Sequence, residues 1–267
     1  MIPYPNIDPV FFRIGPLAFR WYGMMYAISF ISAIFIIRAV AARKKLAITK
    51  EQISDLMLYA AIGVILGGRL GYVLFYNPSY YFENPAKIIA VWEGGMAFHG
   101  GLIGATLGGI YFCKRFAFPV YPVADVAVVS LPLGLGLGRL GNFMNGELFG
   151  RETSVPWCMI FPGGGDVCRH PSQLYEAVLE GAVLFVILWV LSKRRLAPGI
   201  VFWAMIASYG VFRFLVEYTR EPDAHIGLLL GNAFSMGQLL SLPMILLGGF
   251  MIWRQHRAFS KISSEGL

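Results

Sequence analysis

Charged side chains are scarce in this chain of 267 residues. They account for 14% of the sequence, against about 25% in ordinary water-soluble domains, whereas hydrophobic residues account for 57%. Acidic residues are fewer than basic ones, since 15 aspartates and glutamates stand against 22 lysines and arginines. This composition excludes an ordinary soluble globular domain and indicates a membrane protein.

Patterns that mark common enzyme classes are missing too. The sequence contains no GxSxG nucleophile elbow, no HExxH or other spaced set of metal ligands, and no glycine-rich nucleotide loop. None of its three cysteines lies in a nucleophile motif. We therefore expect no covalent enzyme intermediate, no metal and no cofactor. Cys158 and Cys168 share one predicted outside loop, where they either form a disulfide or remain two unrelated thiols.

Long apolar spans are what the sequence does contain. Each can supply most of the ~20 residues that cross a ~30 Å hydrocarbon core, the fifth only if it extends back through Glu180 and Glu176. The spans are residues 21–37, 56–82, 94–113, 116–138, 181–192, 196–212 and 226–253. We predict an all-α integral membrane protein in which residues 1–267 form a single polytopic domain with seven transmembrane helices.

Basic residues cluster at alternate helix ends, after the first, third, fifth and seventh predicted helices. By the positive-inside tendency those ends are cytoplasmic, so we expect the N-terminus outside and the C-terminus inside. The same placement argues against a nucleic-acid-binding face, despite the formal net charge of +7.

Two outside segments invite a structural prediction. Residues 139–172 form a long stretch rich in glycine and aromatic residues, which we expect to be a small cap between helices four and five. The strand-like composition of TSVPWCMIF within it predicts short β-strands. The N-terminal residues 1–20 hold four prolines and lack the features of a signal peptide, so we expect an extended or interface-lying segment.

The run GRLGNFMNGELFGR, residues 138–151, is unusually polar for the end of a membrane helix. Charged and carboxamide side chains at this density are costly there unless they bind something. A second polar group lies on the predicted sixth helix, where Tyr209, Arg213, Glu217 and Arg220 are spaced to share one face. We expect Arg213 to pair with Glu217 and still be held for a ligand, with Arg220 reaching the outside water.

Five arginines are expected to converge on the outside half of the bundle, with glutamates too few and too scattered to neutralise them all. The arginines are Arg69, Arg139, Arg151, Arg213 and Arg220, and the glutamates are Glu147, Glu152, Glu176 and Glu217. Such a cavity attracts an anion, and guanidinium groups bind the phosphate of a lipid headgroup strongly. Asn142 and Asn145 would suit headgroup hydroxyls.

His99 opens the motif HGGLIG in an otherwise uncharged predicted helix. It is either a hydrogen-bonded structural histidine or a proton acceptor facing a cavity. Gly100 and Gly101 follow it, serving close helix packing or the approach of a headgroup to the backbone.

The motif HPSQLYEA opens the predicted fifth helix. There we expect Ser172 as the N-cap and Glu176 as a carboxylate favoured by the helix dipole. His170 and Gln173 are either structural or at the edge of the site.

Several of these motifs together resemble the bacterial prolipoprotein diacylglyceryl transferases. The motifs RWYG, GGRLGYVLFY, HGGLIG, GRLGNFMNGELFG, HPSQLYE and YGVFRFLVEYTREPD occur in the family's order. The resemblance implies transfer of the sn-1,2-diacylglyceryl group from phosphatidylglycerol to the lipobox cysteine thiol of a prolipoprotein, releasing glycerol 1-phosphate. It also implies two partners, the lipid and a prolipoprotein signal peptide, and a periplasm-facing site in the bacterial inner membrane.

The resemblance and the residue patterns together select the candidate site. The catalytic candidates are His99, Arg139, Tyr209 and Arg213. The substrate-binding candidates are Tyr22, Arg69, Gly100, Gly101, Asn142, Asn145, Glu147, Gly150, Arg151, Glu217 and Arg220. We expect a direct displacement, in which the acceptor supplies the thiol, His99 removes its proton, and arginines stabilise the departing phosphate. Tyr22 could instead be an interfacial anchor.

Two other classes fit part of these observations. A transporter or channel for an anionic solute would also place arginines in a cavity, but it needs a polar path to the cytoplasm, and the inner halves of the helices are apolar. A non-enzymatic lipid-binding scaffold would explain the arginines without explaining His99.

Overall fold

The computed structural model describes residues 2–5, 7–221, 228–229 and 234–264. Helices dominate these residues. Two compact units can be distinguished, one formed by Met1–Lys44 with Asp125–Leu267 and the other by Lys45–Ala124. We describe each by itself.

The first unit begins with an antiparallel hairpin of β1 (Val10–Ile14) and β2 (Leu17–Arg20). The turn between them uses Gly15 at a φ of +57°, a conformation that glycine adopts without steric cost. The extended N-terminal segment predicted from the prolines is therefore a β-hairpin, directly followed by helix α1 (Trp21–Arg43).

Two long helical runs of this unit consist of several pieces. The first joins α5 (Val120–Ala127), a 3-10 turn at Val128–Ser130 and α6 (Leu131–Met144). The second joins α7 (Ser172–Glu176), a π-helical stretch at Ala177–Val183 and α8 (Leu184–Ser192). This second run confirms that the fifth predicted helix extends back through Glu180 and Glu176.

The remaining helices of the first unit are α9 (Ile200–Val216) and α10 (Met236–Ser264). The buried Asp125 carboxylate accepts hydrogen bonds of 2.8 Å from the backbone N–H groups of Gly199 and Phe202, and so caps α9. A short hairpin of β3 (Leu228–Leu229) and β4 (Phe234–Ser235) precedes α10. Residues 226, 227 and 230–233 of the seventh predicted span lie outside the described residues.

The second unit is built on α2 (Lys50–Phe75) and α4 (Phe98–Arg115), joined by α3 (Pro78–Glu83) and 3-10 turns at Pro85–Ile89 and Val91–Glu93. A Cβ on Gly63 or Gly67 of α2 would overlap a backbone carbonyl of α4, at Gly104 or Gly100. Small residues therefore let the two backbones touch, as is common in membrane helix pairs. The second predicted helix ends at Phe75 rather than at residue 82.

Five helical runs among the described residues are long and apolar enough to cross a membrane, and Ile200–Val216 is apolar but shorter. The five are Trp21–Arg43, Lys50–Phe75, Val120–Met144, Ser172–Ser192 and Met236–Ser260. The chain is thus a helical, multi-pass membrane protein.

The predicted cap differs from its expected form. Helix α6 continues to Met144, so irregular chain begins only at Asn145. The expected strands within residues 139–172 are absent, and isolated bridges such as that between Met159 and Arg169 take their place. Cys158 and Cys168 form a disulfide, with their Cα atoms 5.4 Å apart, which settles the alternative left open by the sequence.

Candidate functional site

Arg139 lies on α6 one turn after Gly136. Gly136 packs against Gly181 so closely that a Cβ on either residue would lie within 2.9 Å of the other's Cα atom. This approach brings α6 against the run that carries Glu176, and the Arg139 Nε atom lies 2.6 Å from Glu176 Oε2. Two glycines thus permit the first ion pair of the site.

Glu176 is the centre of a larger ion cluster. Its carboxylate is fully buried and also lies 3.2 Å from Arg213 Nη1 and 2.8 Å from Arg220 Nη1. Glu176 therefore has a larger role than the favourable place at the helix N-terminus that the sequence predicted. A carboxylate shared by three guanidinium groups fixes their positions by charge-assisted hydrogen bonds.

The predicted pairing of Arg213 with Glu217 is confirmed. Glu217 is buried, accepts a hydrogen bond of 2.6 Å from the Ser235 hydroxyl, and lies 3.3 Å from Arg220 Nε. Arg220 therefore does not reach outside water as expected, since its side chain is only 13% exposed and bound to both glutamates.

The expected shortage of glutamates was also wrong. Three glutamates lie close to the three arginines Arg139, Arg213 and Arg220. Two of them, Glu176 and Glu180, are on the helical run that begins at Ser172, and the third is Glu217. Glu180 is the exception among them. It is fully buried, its nearest cationic atom, Arg213 Nη1, lies 3.8 Å away, and neither carboxylate oxygen has a hydrogen-bond partner among the described residues. We call these six residues the arginine cluster.

Two tyrosines border the arginine cluster. Tyr209, one turn before Arg213 on α9, is within electrostatic range of Glu180, Arg213 and Arg139. Tyr22 is within range of Arg139, and its ring packs on Gly141, where a Cβ would lie 2.9 Å from a ring carbon. The structure thus brings both tyrosines near Arg139, and their roles in the reaction stay predictions.

A second polar group surrounds Glu147. Its Oε1 atom accepts hydrogen bonds from the side-chain amides of Asn142 and Asn145, at 2.9 and 3.0 Å. The Gln173 amide donates to the Glu147 backbone carbonyl at 2.6 Å. The amide oxygens of Asn145 and Gln173 are buried without a hydrogen-bond partner among the described residues. Two unpaired acceptors suit a ligand that carries hydroxyl groups.

Gly150 and Arg151 hold the chain that follows α9. A Cβ on Gly150 would overlap the Thr219 carbonyl oxygen, so only glycine permits this approach. Arg151 donates to the backbone carbonyl of Arg220 at 2.6 Å and to that of Glu217 at 3.4 Å. Arg151 therefore positions two members of the arginine cluster.

In the second unit, Arg69 is buried and donates to four backbone carbonyls, those of Lys87, Ile88, Gly94 and Gly95, at 2.5 to 3.1 Å. Its guanidinium is thus committed to holding the loop between α3 and α4. This geometry corrects the expectation that Arg69 is a free cation for a headgroup.

His99 lies at the first turn of α4, exposed beside a cavity of about 350 Å³ within the second unit. Gly100 packs against Gly67, and Gly101 lies near the Val64 carbonyl, so both glycines serve helix packing. The cavity lining includes Phe75, Tyr76 and Ile103. A role for His99 in proton transfer stays a prediction.

The start of α7 also differs from expectation. Pro171 occupies the N-cap position, and the Ser172 hydroxyl donates to the Leu148 carbonyl at 3.1 Å instead of capping the helix. Partial burial lowers the pKa of His170, whose Nδ1 lies 3.2 Å from the Tyr175 hydroxyl, and so keeps it neutral near pH 7.

The sequence analysis did not select Glu180, and it left Gln173 as either structural or at the edge of the site. Glu176 and Glu180 lie one turn apart in an apolar span. Ionisable residues inside a membrane usually face partners or a cavity, so this pair of glutamates could have indicated a site. No pattern in the sequence decided whether Gln173 has a structural role or lies at the edge of the site.

Comparison with known proteins identifies the family of this chain. The family model described as prolipoprotein diacylglyceryl transferase matches residues 9–254. A phosphatidylglycerol–prolipoprotein diacylglyceryl transferase of Geobacter sulfurreducens is 63% identical over 247 residues, covering 92% of this chain and 94% of that protein. The enzyme of the same name from Vibrio vulnificus is 52% identical over 258 residues, covering 96% and 94%. The chain therefore belongs to the prolipoprotein diacylglyceryl transferase family.

Proposed function

We propose that the arginine cluster binds the phosphate of phosphatidylglycerol and stabilises it as the leaving group. The chain is a transferase of lipoprotein maturation, acting at the first step, in which a diacylglyceryl group moves to a prolipoprotein cysteine. The proposal concerns which of its residues perform that step.

The reaction is a displacement at the carbon of the diacylglyceryl group that is bonded to the phosphate oxygen. The cysteine sulfur forms a new bond to that carbon, the carbon–oxygen bond breaks, and glycerol 1-phosphate leaves with the bonding electron pair. Negative charge grows on the departing oxygen, so fixed cations there lower the barrier. Arg139 and Arg213 are the proposed contacts, and Tyr209 handles protons beside them.

The observation that carries this proposal is the sharing of Glu176 by Arg139, Arg213 and Arg220. Three guanidinium groups would otherwise repel one another and turn away. A fully buried carboxylate holds them together before the substrate arrives, so little reorganisation is needed during the reaction.

The group around Glu147 is the proposed site for the glycerol hydroxyls of the headgroup. The free amide oxygens of Asn145 and Gln173 accept hydroxyl hydrogens, and Asn142 orients Glu147. Tyr22 borders the same proposed hydroxyl site. The proposed phosphate contacts, Arg139 and Arg213, are supported by Gly150, Arg151, Glu217 and Arg220. The helix pair that carries His99 is supported by Arg69, Gly100 and Gly101.

His99 is the proposed base for the acceptor thiol. A cysteine thiol has a reference pKa of about 8.5, so modest assistance suffices near neutral pH. The second substrate is the lipobox cysteine of a prolipoprotein signal peptide, which supplies the nucleophile that this chain lacks.

The proposed arrangement is a single domain, residues 1–267, with seven crossings of the bacterial inner membrane. Basic residues cluster within or directly after the C-terminal ends of α1, α4, α8 and α10, which favours a cytoplasmic C-terminus and a periplasmic N-terminus. The disulfide-bonded residues 145–172 then form a periplasmic cap beside the site.

The direct test is product formation by the purified protein. With phosphatidylglycerol and a peptide carrying a Leu-Ala-Gly-Cys lipobox, we expect glycerol phosphate and a thioether-linked lipid. Arg139→Ala and Arg213→Ala should each lower turnover about 10²-fold or more, the usual cost of removing a donor at a developing charge. The exposed Arg194, changed to alanine, is the matched control. Lipid binding without either product would refute the proposal.

A further inference from the structure

Glu180 is the one member of the arginine cluster whose charged group has no hydrogen bond and no ion pair shorter than 3.8 Å among the described residues. It lies in the π-helical stretch of residues 177–183, a helix type that often occurs at functional sites. Its side chain is fully buried, and neither carboxylate oxygen has a hydrogen-bond partner among the described residues. The arginines direct their close contacts to Glu176 and Glu217 instead.

A proton on Glu180 fits this environment better than a negative charge. A buried carboxylate without hydrogen bonds has lost its hydration without replacement, and this strongly disfavours the ionised form. Glu176, one turn earlier on the same helical run, adds like-charge repulsion. Arg213, Arg139 and Arg220 attract the ionised form, but the closest of these contacts, from Arg213 Nη1, is 3.8 Å long and so beyond hydrogen-bond distance.

We propose that Glu180 carries a proton in the resting protein and thereby leaves the arginine cluster with one excess positive charge, which receives the headgroup phosphate. Three guanidinium groups then face two carboxylates, those of Glu176 and Glu217. A phosphodiester carries a single negative charge, so the cluster with bound lipid is neutral. If Glu180 ionises, the excess charge disappears before the lipid binds.

This inference rests on the proposed function, since it explains how the same cluster attracts its substrate. Glu180 acts through the arginines and is a positioning residue. The groups that face it are Arg139 from α6, Glu176 from its own run, Tyr209 and Arg213 from α9, and Arg220 from the segment after α9. A pH dependence that arises from any of these would persist when Glu180 is replaced.

The test consists of two measurements. The first is the KM for phosphatidylglycerol in mixed micelles with neutral phosphatidylcholine, at saturating lipobox peptide. The second is the binding of phosphatidylglycerol in the absence of peptide. For the wild-type chain, we expect KM to rise on the order of tenfold between about pH 6 and about pH 9, as Glu180 ionises. The ionisation of the peptide thiol affects kcat rather than lipid binding, so the binding measurement isolates the cluster.

Two substitutions remove the titration by different means. Glu180→Gln keeps the shape, and Glu180→Met is also neutral but needs no hydrogen-bond partner. In both variants KM and lipid affinity should lose their pH dependence, so that at about pH 9 they bind the lipid about tenfold more tightly than wild type. Glu152→Gln removes an exposed cap carboxylate and should keep the wild-type slope.

Three results would overturn the inference. They are a flat wild-type profile, an unchanged slope in a folded Glu180 variant, and loss of lipid binding at every pH in both variants, which would show that the ionised carboxylate is required. A wild-type chain that yields no product would refute the proposed function itself, whereas product formation with an unchanged slope would refute the inference alone.

Discussion

At the scale of single residues, Glu176 determines the geometry of the site. It is the only carboxylate within 3.2 Å of all three arginines in the described part of the chain. Its removal would leave several buried cations without a shared partner, which is among the costliest changes inside a protein. Glu176 therefore fixes the positions of all three arginines.

We predict that Glu176→Gln lowers kcat by about 10²-fold or more, because an amide cannot balance the charges that keep the arginines together. Thermal unfolding in detergent should also begin at a lower temperature. The comparison variant is Glu152→Gln in the cap. Near wild-type turnover of Glu176→Gln would mean that the arginines are placed by other contacts.

His99 makes a separate prediction at this scale. We expect His99→Gln to lose more rate at about pH 6.5 than at about pH 8.5, because a thiol with a reference pKa near 8.5 ionises increasingly without help. The measurement is the ratio of variant to wild-type kcat across this range. A loss of equal size at both pH values would identify a structural histidine.

At the scale of elements, the contact between α2 and α4 depends on the absence of side chains. A Cβ on Gly104 would overlap the carbonyl of Gly63, whereas one on Gly109, in the same helix, would meet nothing within 4 Å. The two glycines look alike in the sequence, and only the packed structure separates their roles.

We therefore predict opposite effects of the same substitution. Gly104→Ala should lower the free energy of unfolding by about 1–3 kcal/mol, since the helices must move apart. Gly109→Ala should leave it unchanged or raise it slightly, because alanine favours the helix. Thermal melting of both variants in one detergent provides the comparison, and equal melting temperatures would contradict the close contact.

At the scale of the whole molecule, orientation decides whether the site faces its substrates. The proposed topology places the arginine cluster and the cap disulfide on the outside of the membrane, where disulfides persist. We predict that a fluorescent protein fused after Leu267, of a type that matures only in the cytoplasm, will fluoresce, while a periplasm-dependent reporter at the same point stays inactive. The reverse pattern would place the arginine cluster on the cytoplasmic side and refute the topology.

The sequence alone predicted the family, the apolar helices and most of the residues now seen together. Composition and the charge pattern sufficed for the membrane class, because a bilayer imposes simple rules on length and polarity. The spacing of residues 209–220 predicted the Arg213–Glu217 pair, since residues four apart on a helix are neighbours.

Only the tertiary structure decided which charges balance one another. The close approach of Gly136 and Gly181 brings α6 to Glu176, and the fold turns Arg220 inward and commits Arg69 to loop carbonyls. Ion pairing between elements depends on distances of a few ångströms that no local pattern records, because Coulomb energies and desolvation change steeply over that range. The sequence therefore determined the family of this protein and its place in a membrane, and the packing of its helices decided which charged side chains meet.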